Sequence, residues 1–303
     1  MAQTANTLNI NSLPDYIQEH RDELFINAVL GGKTLGLVEI MPNVKYKDAL
    51  NYLDSEVVLQ DGSDCGWNPQ GSDTFSQRYI ETVAVEVEKE FCWKDFEKKY
   101  MNYQLLWEAG RETLPFEQKI ADSNMNAIQD AIEDLVWKGD SGLSIDGFIA
   151  AAEAESAATV EFSSGQTVSD KIDAIVAELS TKMLKKGVRI YASPSDFRKY
   201  VMEQNGACCN NKPVIDAASE SIDYFGDSRI KVIPVLGLED TGAIVAATPD
   251  ALVYATDVEG SESTYRMWFD EKEEKFLFRV LFRAGTAIKF PDEVILGEEG
   301  AGE

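Results

Sequence analysis

The spacing of apolar residues changes several times along this chain, and each change marks an element. Residues 1–11 are polar without periodicity, which predicts a mobile arm. Ser12, Pro14 and Asp15 have the composition of a helix start. Ile17, Leu24, Phe25 and Val29 follow at helical spacing, and Gly31-Gly32 closes the run. Residues 37–41 fit a strand. Residues 45–90 alternate short apolar stretches with Asp, Gly, Asn, Ser and Pro, and strand-like residues at 57–59 and 79–87 flank the most irregular part. This predicts a long two-stranded excursion with an irregular tip. A tip that long packs poorly on its own body, so it either lies on a neighbour or closes a site as a lid.

A helical block is expected at 94–109. The strongest helix is at 114–137, where Phe116, Ile120, Ile128, Ile132 and Leu135 form one stripe and Ala127 and Ala131 raise propensity. Its span is roughly 35 Å. It stops at Lys138-Gly139-Asp140-Ser141-Gly142, and a short extended stretch is expected near Gly147-Phe148-Ile149. Thr167 and Asp170 have the spacing of a capping box, opening a helix that carries Val168, Ile172, Ile175, Val176, Leu179 and Met183 and ends at Gly187. A strand at 188–192 precedes a Pro-started helix to about Gln204. The stretch from there to Asp227 reads as irregular. Residues 230–236 read as a strand that Pro234 places at an edge.

The most informative stretch comes next. Residues 244–257 read strand, short Pro-started turn, strand, and two apolar-aromatic strands follow at 264–269 and 276–283. Residues 297–303 read as an acidic tail.

Composition narrows the function classes. With 303 residues, 44% of them hydrophobic, the chain can build a large core in one or two domains. No apolar run reaches eighteen residues, so no membrane-spanning helix is expected. The first residues lack a basic stretch followed by an apolar one, so no secretory signal is expected. Cys65, Cys92, Cys208 and Cys209 show no disulfide framework and read as reduced thiols. The net charge of −25 repels phosphate, and direct nucleic-acid binding needs clustered cations. Lys182, Lys185, Lys186 and Arg189 form the most basic patch, at a helix C-terminus where cations are favoured in any case.

Several chemical motifs dissolve on inspection. Gly32-Lys33-Thr34 looks like the end of a phosphate-binding loop, but Asn27 stands where that motif needs glycine, and helix precedes strand. It reads as a helix C-cap. His20 is the sole histidine and lies in an amphipathic helix, so no triad or histidine-based metal site assembles. The run 270–275 alternates both charge signs between two strands and reads as a solvated hairpin tip. Of the five tryptophans, Trp93, Trp107, Trp137 and Trp268 read as core. Trp67 sits in the irregular loop and is the one candidate subunit-interface residue, as an aromatic anchor for a partner.

The order of these elements resembles the major capsid proteins of tailed double-stranded DNA phages, the HK97-like fold. The resemblance rests on the ordered set and covers residue 12 to about residue 295. The quoted pieces are the helix at 114–137, the turn Trp137-Lys138-Gly139-Asp140 followed by Asp146-Gly147-Phe148, the Ser193-Pro194-Ser195-Asp196-Phe197 helix start, and the strands between 263 and 290. It implies an α+β protein with an N-terminal arm (1–44), an E-loop (45–92), a P-domain with a spine helix (93–148), an inserted A-domain (149–258), and P-domain return strands with an acidic tail (259–303). It implies a structural protein, not an enzyme, without cofactors, whose main partner is itself in hexameric and pentameric capsomers. A portal, a separate scaffolding protein and decoration or head auxiliary proteins are the further partners it implies. The packaged DNA would be enclosed without specific binding and no membrane would be involved. The expected location is the virion capsid, assembled in the cytoplasm of a host bacterium. Some relatives join an E-loop lysine to a P-domain asparagine. Here residues 48–88 contain no Lys and residues 261–283 no Asn, so that cross-link is not expected. The alternatives are an encapsulin-type bacterial compartment shell and an acidic α+β hydrolase with residues 45–92 as a lid.

Overall fold

The structure, a computed structural model, describes residues 12–60, 70–92, 94, 98–99, 116–155, 157–163, 165–206, 215–216, 221–225, 227–257 and 264–299. The predicted arm at 1–11, most of the helical block at 94–109, and Trp67, Trp93 and Trp107 lie outside them.

The described chain begins with helices α1 (Ser12–Glu19) and α2 (Arg21–Leu30), which meet at His20. Strand β1 (Glu39–Met41) leads to the antiparallel hairpin of β2 (Lys47–Val57) and β3 (Gly71–Glu81), and β4 (Val83–Cys92) follows. The long helix is α3 (Phe116–Lys138), closed by the tiny pair β5 (Gly139–Asp140) and β6 (Ile145–Asp146). Next come α4 (Phe148–Ala154), β7 (Ala158–Phe162), α5 (Val168–Ala177), α6 (Thr181–Lys186), β8 (Val188–Ala192) and α7 (Pro194–Gly206). The remainder is β-rich: β9 (Ile215–Asp216), β10 (Ser221–Tyr224), β11 (Asp227–Pro234), β12 (Ile244–Ala247), β13 (Leu252–Thr256), β14 (Thr264–Asp270), β15 (Lys275–Ile288) and β16 (Val294–Glu299).

The strand–turn–strand at 244–257 splits between two sheets. Strand β12 is interior to a seven-stranded sheet ordered β7-β16-β12-β8-β11-β10-β9. Strand β13 belongs to a five-stranded sheet with β1, β15, β14 and β4. Continuous apolar runs explain the placement, because a strand covered on both faces has no need of polar alternation. In β12, Val245 and Ala247 face a core shared with α1–α4, while Ile244 and Ala246 face a second core under α5–α7. In β13, Leu252 and Tyr254 join the first core, while Val253 and Ala255 meet Val44, Leu50 and Ile80. Strand β15 alternates instead: Phe276, Phe278, Val280 and Phe282 are buried, and the intervening residues are half-covered.

Several expectations are corrected. Residues 148–154 are helical, not extended, because the Ala-rich run favours helix and Phe148 tucks edge-on against Trp137. The helix expected from 168 to Gly187 breaks, and Ser180 caps its second part by accepting from the Met183 N–H at 3.3 Å. The predicted stripe is still covered across the break. The Thr167–Asp170 capping box is present. Strand β11 is interior, flanked by β8 and β10. Pro234 is tolerated because it ends the strand, and the next N–H, of Val235, donates to Ala192 O at 2.9 Å. The irregular stretch before Asp227 contains β9 and β10. The strand-like residues at 57–59 give way to an earlier, longer β2, and those at 79–87 divide at Thr82 between β3 and β4. Residues 297–299, read as tail, form the end of β16, where Gly297 pairs with both β12 and β7 and Glu298 and Glu299 pair with β7. Trp268, read as core, lies on the outer face of β14 with Arg266 over its ring at 4.9 Å.

Candidate assembly surfaces

Seven of the twelve large apolar side chains exposed among the described residues lie between Tyr46 and Tyr79, in and around the β2–β3 hairpin. The register explains why. Leu53 stands opposite Phe75, Ala49 opposite Tyr79 and Val57 opposite Gly71, so all these residues share one face. On that face Leu53 is 53% exposed, Phe75 81%, Val57 78% and Tyr79 55%. The opposite face carries Leu50 and Ile80, and both are buried at the root. With eleven residues in each strand the hairpin is about 37 Å long. One face is thus apolar at the root because it packs on β13, and the other exposes Leu53, Val57 and Phe75 between the polar Asn51, Ser55, Asp73 and Gln77, with Lys47 over the Tyr79 ring at 4.6 Å.

The root is firmly seated. Burying Leu50 and Ile80 contributes about 1.5–3 kcal/mol each. Thr82 donates its hydroxyl to Val44 O at 3.0 Å and its N–H to Tyr46 O at 2.8 Å. Arg283 donates to Thr82 O at 3.2 Å and lies over the Tyr46 ring at 4.3 Å. Lys47 pairs with Glu81 at 2.6 Å, Arg78 pairs with Glu155, and Tyr52 meets Phe290 edge-on. Gly285 sits where the β3–β4 junction crosses β15, and a Cβ there would run into the Glu81 carbonyl oxygen.

Two buried carboxylates fix the frame around this hairpin. Glu133 on α3 accepts from the Thr34 N–H at 2.6 Å and from the Thr34 hydroxyl, which itself accepts from Trp137 Nε1 at 2.8 Å. The Gly32-Lys33-Thr34 motif is therefore part of a structural clasp on the long helix. Gly31 caps α2 without a left-handed backbone (φ −80°), and its missing side chain makes room for Asn27 O and Gln129. Burial pushes the Glu133 carboxyl above its ordinary range, and the Thr34 hydrogen bonds only partly offset it. Glu293 receives Lys186 at 2.7 and 2.8 Å, the Thr248 hydroxyl at 2.7 Å and Lys182 at 3.5 Å. Burial acts to raise its pKa, but the Lys186 and Thr248 hydrogen bonds outweigh it and hold the carboxyl below its ordinary range. Most of the basic patch is thereby accounted for: Lys182 and Lys186 face Glu293, and Arg189 donates to Leu37 O.

His20 stands at the α1–α2 break with its ring 4.6 Å from that of Tyr16. The 270–275 run is the β14–β15 turn, with Lys272 N–H donating to Asp270 at 2.9 Å. No group of three or more His, Cys, Asp or Glu among the described residues could hold a metal ion. The sequence reading missed Leu53, Phe75, Val57 and Tyr79 as interface candidates. Their signal was a spacing of four on each arm, Leu53 to Val57 and Phe75 to Tyr79, and these four residues join into one patch only once the Leu53–Phe75 register is known.

No protein-family model matches the sequence, and no curated protein does. Solved structures do match. A chain of the satellite phage P4 procapsid that includes the size determination (Sid) protein aligns with TM-score 0.58 and 9% identity, covering 93% of this chain and 99% of that one. A chain of Microbacterium phage Oxtober96 aligns with TM-score 0.57 and 9% identity, covering 89% and 91%. A virus-like particle from Pyrococcus furiosus aligns with TM-score 0.52 and 12% identity, covering 94% and 100%. The fold is thus shared with subunits of these phage and virus-like particles. The chain has the HK97-like α+β capsid fold along nearly its whole length.

Proposed function

We propose that this chain is a structural major capsid protein that self-assembles into the hexamers and pentamers of an icosahedral phage head enclosing double-stranded DNA. The observation that carries the reading is the set of exposed apolar side chains, Leu53, Val57, Phe75 and Tyr79, on one face of the hairpin of this particular fold. Apolar patches of this kind mark interaction sites. A surface that projects from one subunit onto a different surface of the next makes a head-to-tail contact, which closes into rings. Trp67, between the two arms of the hairpin in sequence, is proposed as a further anchor on the neighbouring subunit. The net charge of −25 supports DNA held by enclosure, since an acidic wall repels phosphate. A portal and a scaffolding protein are further partners proposed for such a head, and assembly is assigned to the host bacterial cytoplasm.

Negative-stain electron microscopy of the purified protein tests the reading. Shells, hexamers or pentamers are expected. A monomer that persists at high concentration under all assembly conditions would overturn it.

A further inference from the structure

The body of the subunit holds the β2–β3 hairpin by its lower rows. On the body-facing side the register sets Ile80 opposite Asp48, Arg78 opposite Leu50 and Ser76 opposite Tyr52. Leu50 and Ile80 are buried, and two longer side chains tie the next rows to different elements. Tyr52 of β2 meets the Phe290 ring edge-on, with centroids 5.2 Å apart. Arg78 of β3 pairs with Glu155 at the end of α4 and also hydrogen-bonds Tyr52. Five rows, from Leu53–Phe75 to Val57–Gly71, extend about 17 Å past these ties. The two ties differ in chemistry. The ring contact is apolar and indifferent to ionic strength. The ion pair is open to solvent, with side chains 25% and 44% exposed, so salt weakens it. Opposing terms hold the pair near balance. Glu155 caps the C-terminus of α4, where the helix dipole disfavours a carboxylate and the Arg78 cation relieves it. Against this, Arg78 Nε is buried without a hydrogen-bond partner, and release returns it to water.

We propose that the Arg78–Glu155 pair is a releasable tie that sets the tilt of the outer hairpin, and with it the direction in which Leu53, Val57 and Phe75 are presented. With the pair closed, both strands are held and the outer rows take one direction. With it open, Tyr52 alone holds beyond the root, and the outer rows swing while Leu50 and Ile80 stay seated. A tilt of about 20° at the Tyr52–Ser76 row carries the Val57 end through about 6 Å. Apolar contacts are made within about 4.5 Å, so a surface that receives the closed form loses the open one. That consequence for assembly rests on the capsid reading, whereas the swing itself belongs to a single subunit.

The test uses the full chain, unassembled, with its four cysteines replaced by serine. Spin labels are carried by Ser72→Cys in the outer hairpin, paired in turn with Glu178→Cys after α5 and Glu23→Cys on α2, all at exposed positions. Double electron–electron resonance is expected to give one narrow distance for each pair in the parent at low salt. Arg78→Met is expected to shift or broaden at least one of the two by about 5 Å, the reach of the lever arm. Arg78→Lys is expected to recover most of the parental distance. Salt at about 1 M, which screens charges beyond about 3 Å, is expected to move the parent toward Arg78→Met and to leave that variant where it is. Should Arg78→Met fail to fold, Glu155→Gln at the exposed end of α4 serves instead, with the same shift expected. Distances unchanged in these variants, or salt acting equally on parent and variant, overturn the proposal. A swing measured in a protein that forms no shells upholds the tie and counts against the capsid reading. Shells seen by microscopy alongside fixed distances sink the tie and leave that reading standing.

Discussion

The main-chain N–H of Thr34 donates to Glu133 Oε1 at 2.6 Å, joining the loop after α2 to the interior face of α3 across 99 residues of sequence. Both partners are buried, so the interaction cannot be exchanged for water. Glu133→Ala is expected to cost about 1–3 kcal/mol, the penalty for a buried donor left without an acceptor. Glu133→Gln keeps the acceptor and removes the charge, and it is expected to cost much less. The sign of the pH effect follows from the raised carboxyl. The fold holds the proton more tightly than the unfolded chain does, so this group's contribution falls as pH rises from the ordinary value of 4.5 through the folded one. Glu133→Gln is expected to remove that fall, as read from urea unfolding between pH 4 and pH 8.

Glu293 has the opposite sign. Its pKa is depressed, so its stabilisation is complete above the unfolded value near 4.5 and is lost as pH drops through the folded one. Lys186→Met leaves the buried carboxylate with Lys182 at 3.5 Å and Thr248. The expected loss at pH 7 is about 1–2 kcal/mol, less than for a fully buried pair because Lys186 is itself over a third exposed to solvent and Lys182 remains. The acid limb of Tm against pH is expected to move upward in the variant. An unchanged Tm at pH 7 would show the pair to be dispensable.

Gly285 has no substitute. The obstacle to a Cβ is the Glu81 carbonyl, which is main chain and cannot swing away. Gly285→Ala is expected to destabilise by at least about 1–3 kcal/mol through overpacking. Differential scanning calorimetry would read this directly.

The outer hairpin separates folding from assembly. Phe75→Ser is expected to leave subunit stability within about 0.5 kcal/mol, because the ring is already exposed. Shell yield is expected to fall, with roughly 2 kcal/mol lost per contact if the ring is an anchor, and Trp67→Ala is expected to behave likewise. Shells of unchanged yield and thermal stability from both variants would assign the contact to other residues.

Assembled shells are expected to run as one monomer band after boiling under reducing conditions. The absence of Lys from 48–88 and of Asn from 261–283 motivates this. A ladder of higher bands on the gel would contradict it.

Local order was legible wherever one residue decides it. The Thr167–Asp170 box, the Gly139 stop after α3 and the acidic β14–β15 turn could all be read from their own residues. What escaped depends on partners distant in sequence. Ile244 to Ala247 reads as an apolar strand, but only β8 and β16 at its sides assign it to a sheet different from that of β13. Pro234 argued for an edge, yet a strand's last residue can lack a donor anywhere in a sheet. Gly297-Glu298-Glu299 looked like a tail because charge dominated the eye, whereas Phe162 packs where a side chain on Gly297 would stand. At the candidate interface the exposure of Phe75 is a fact about what fails to cover it, and no local pattern encodes that.

Strand β13 is sandwiched, with the main core on one side and Leu50, Ile80 and Val44 on the other. The hairpin root is therefore no detachable appendage. Lifting it would bare Val253 and Ala255 to water and strip one wall from a strand that also pairs with β1 and β15. Mechanical load taken up at the hairpin's outer end thus passes through its root into a strand at the centre of the subunit. A pull from outside is met by the whole folded body and not by a single loop, so a subunit gripped there yields only by unfolding.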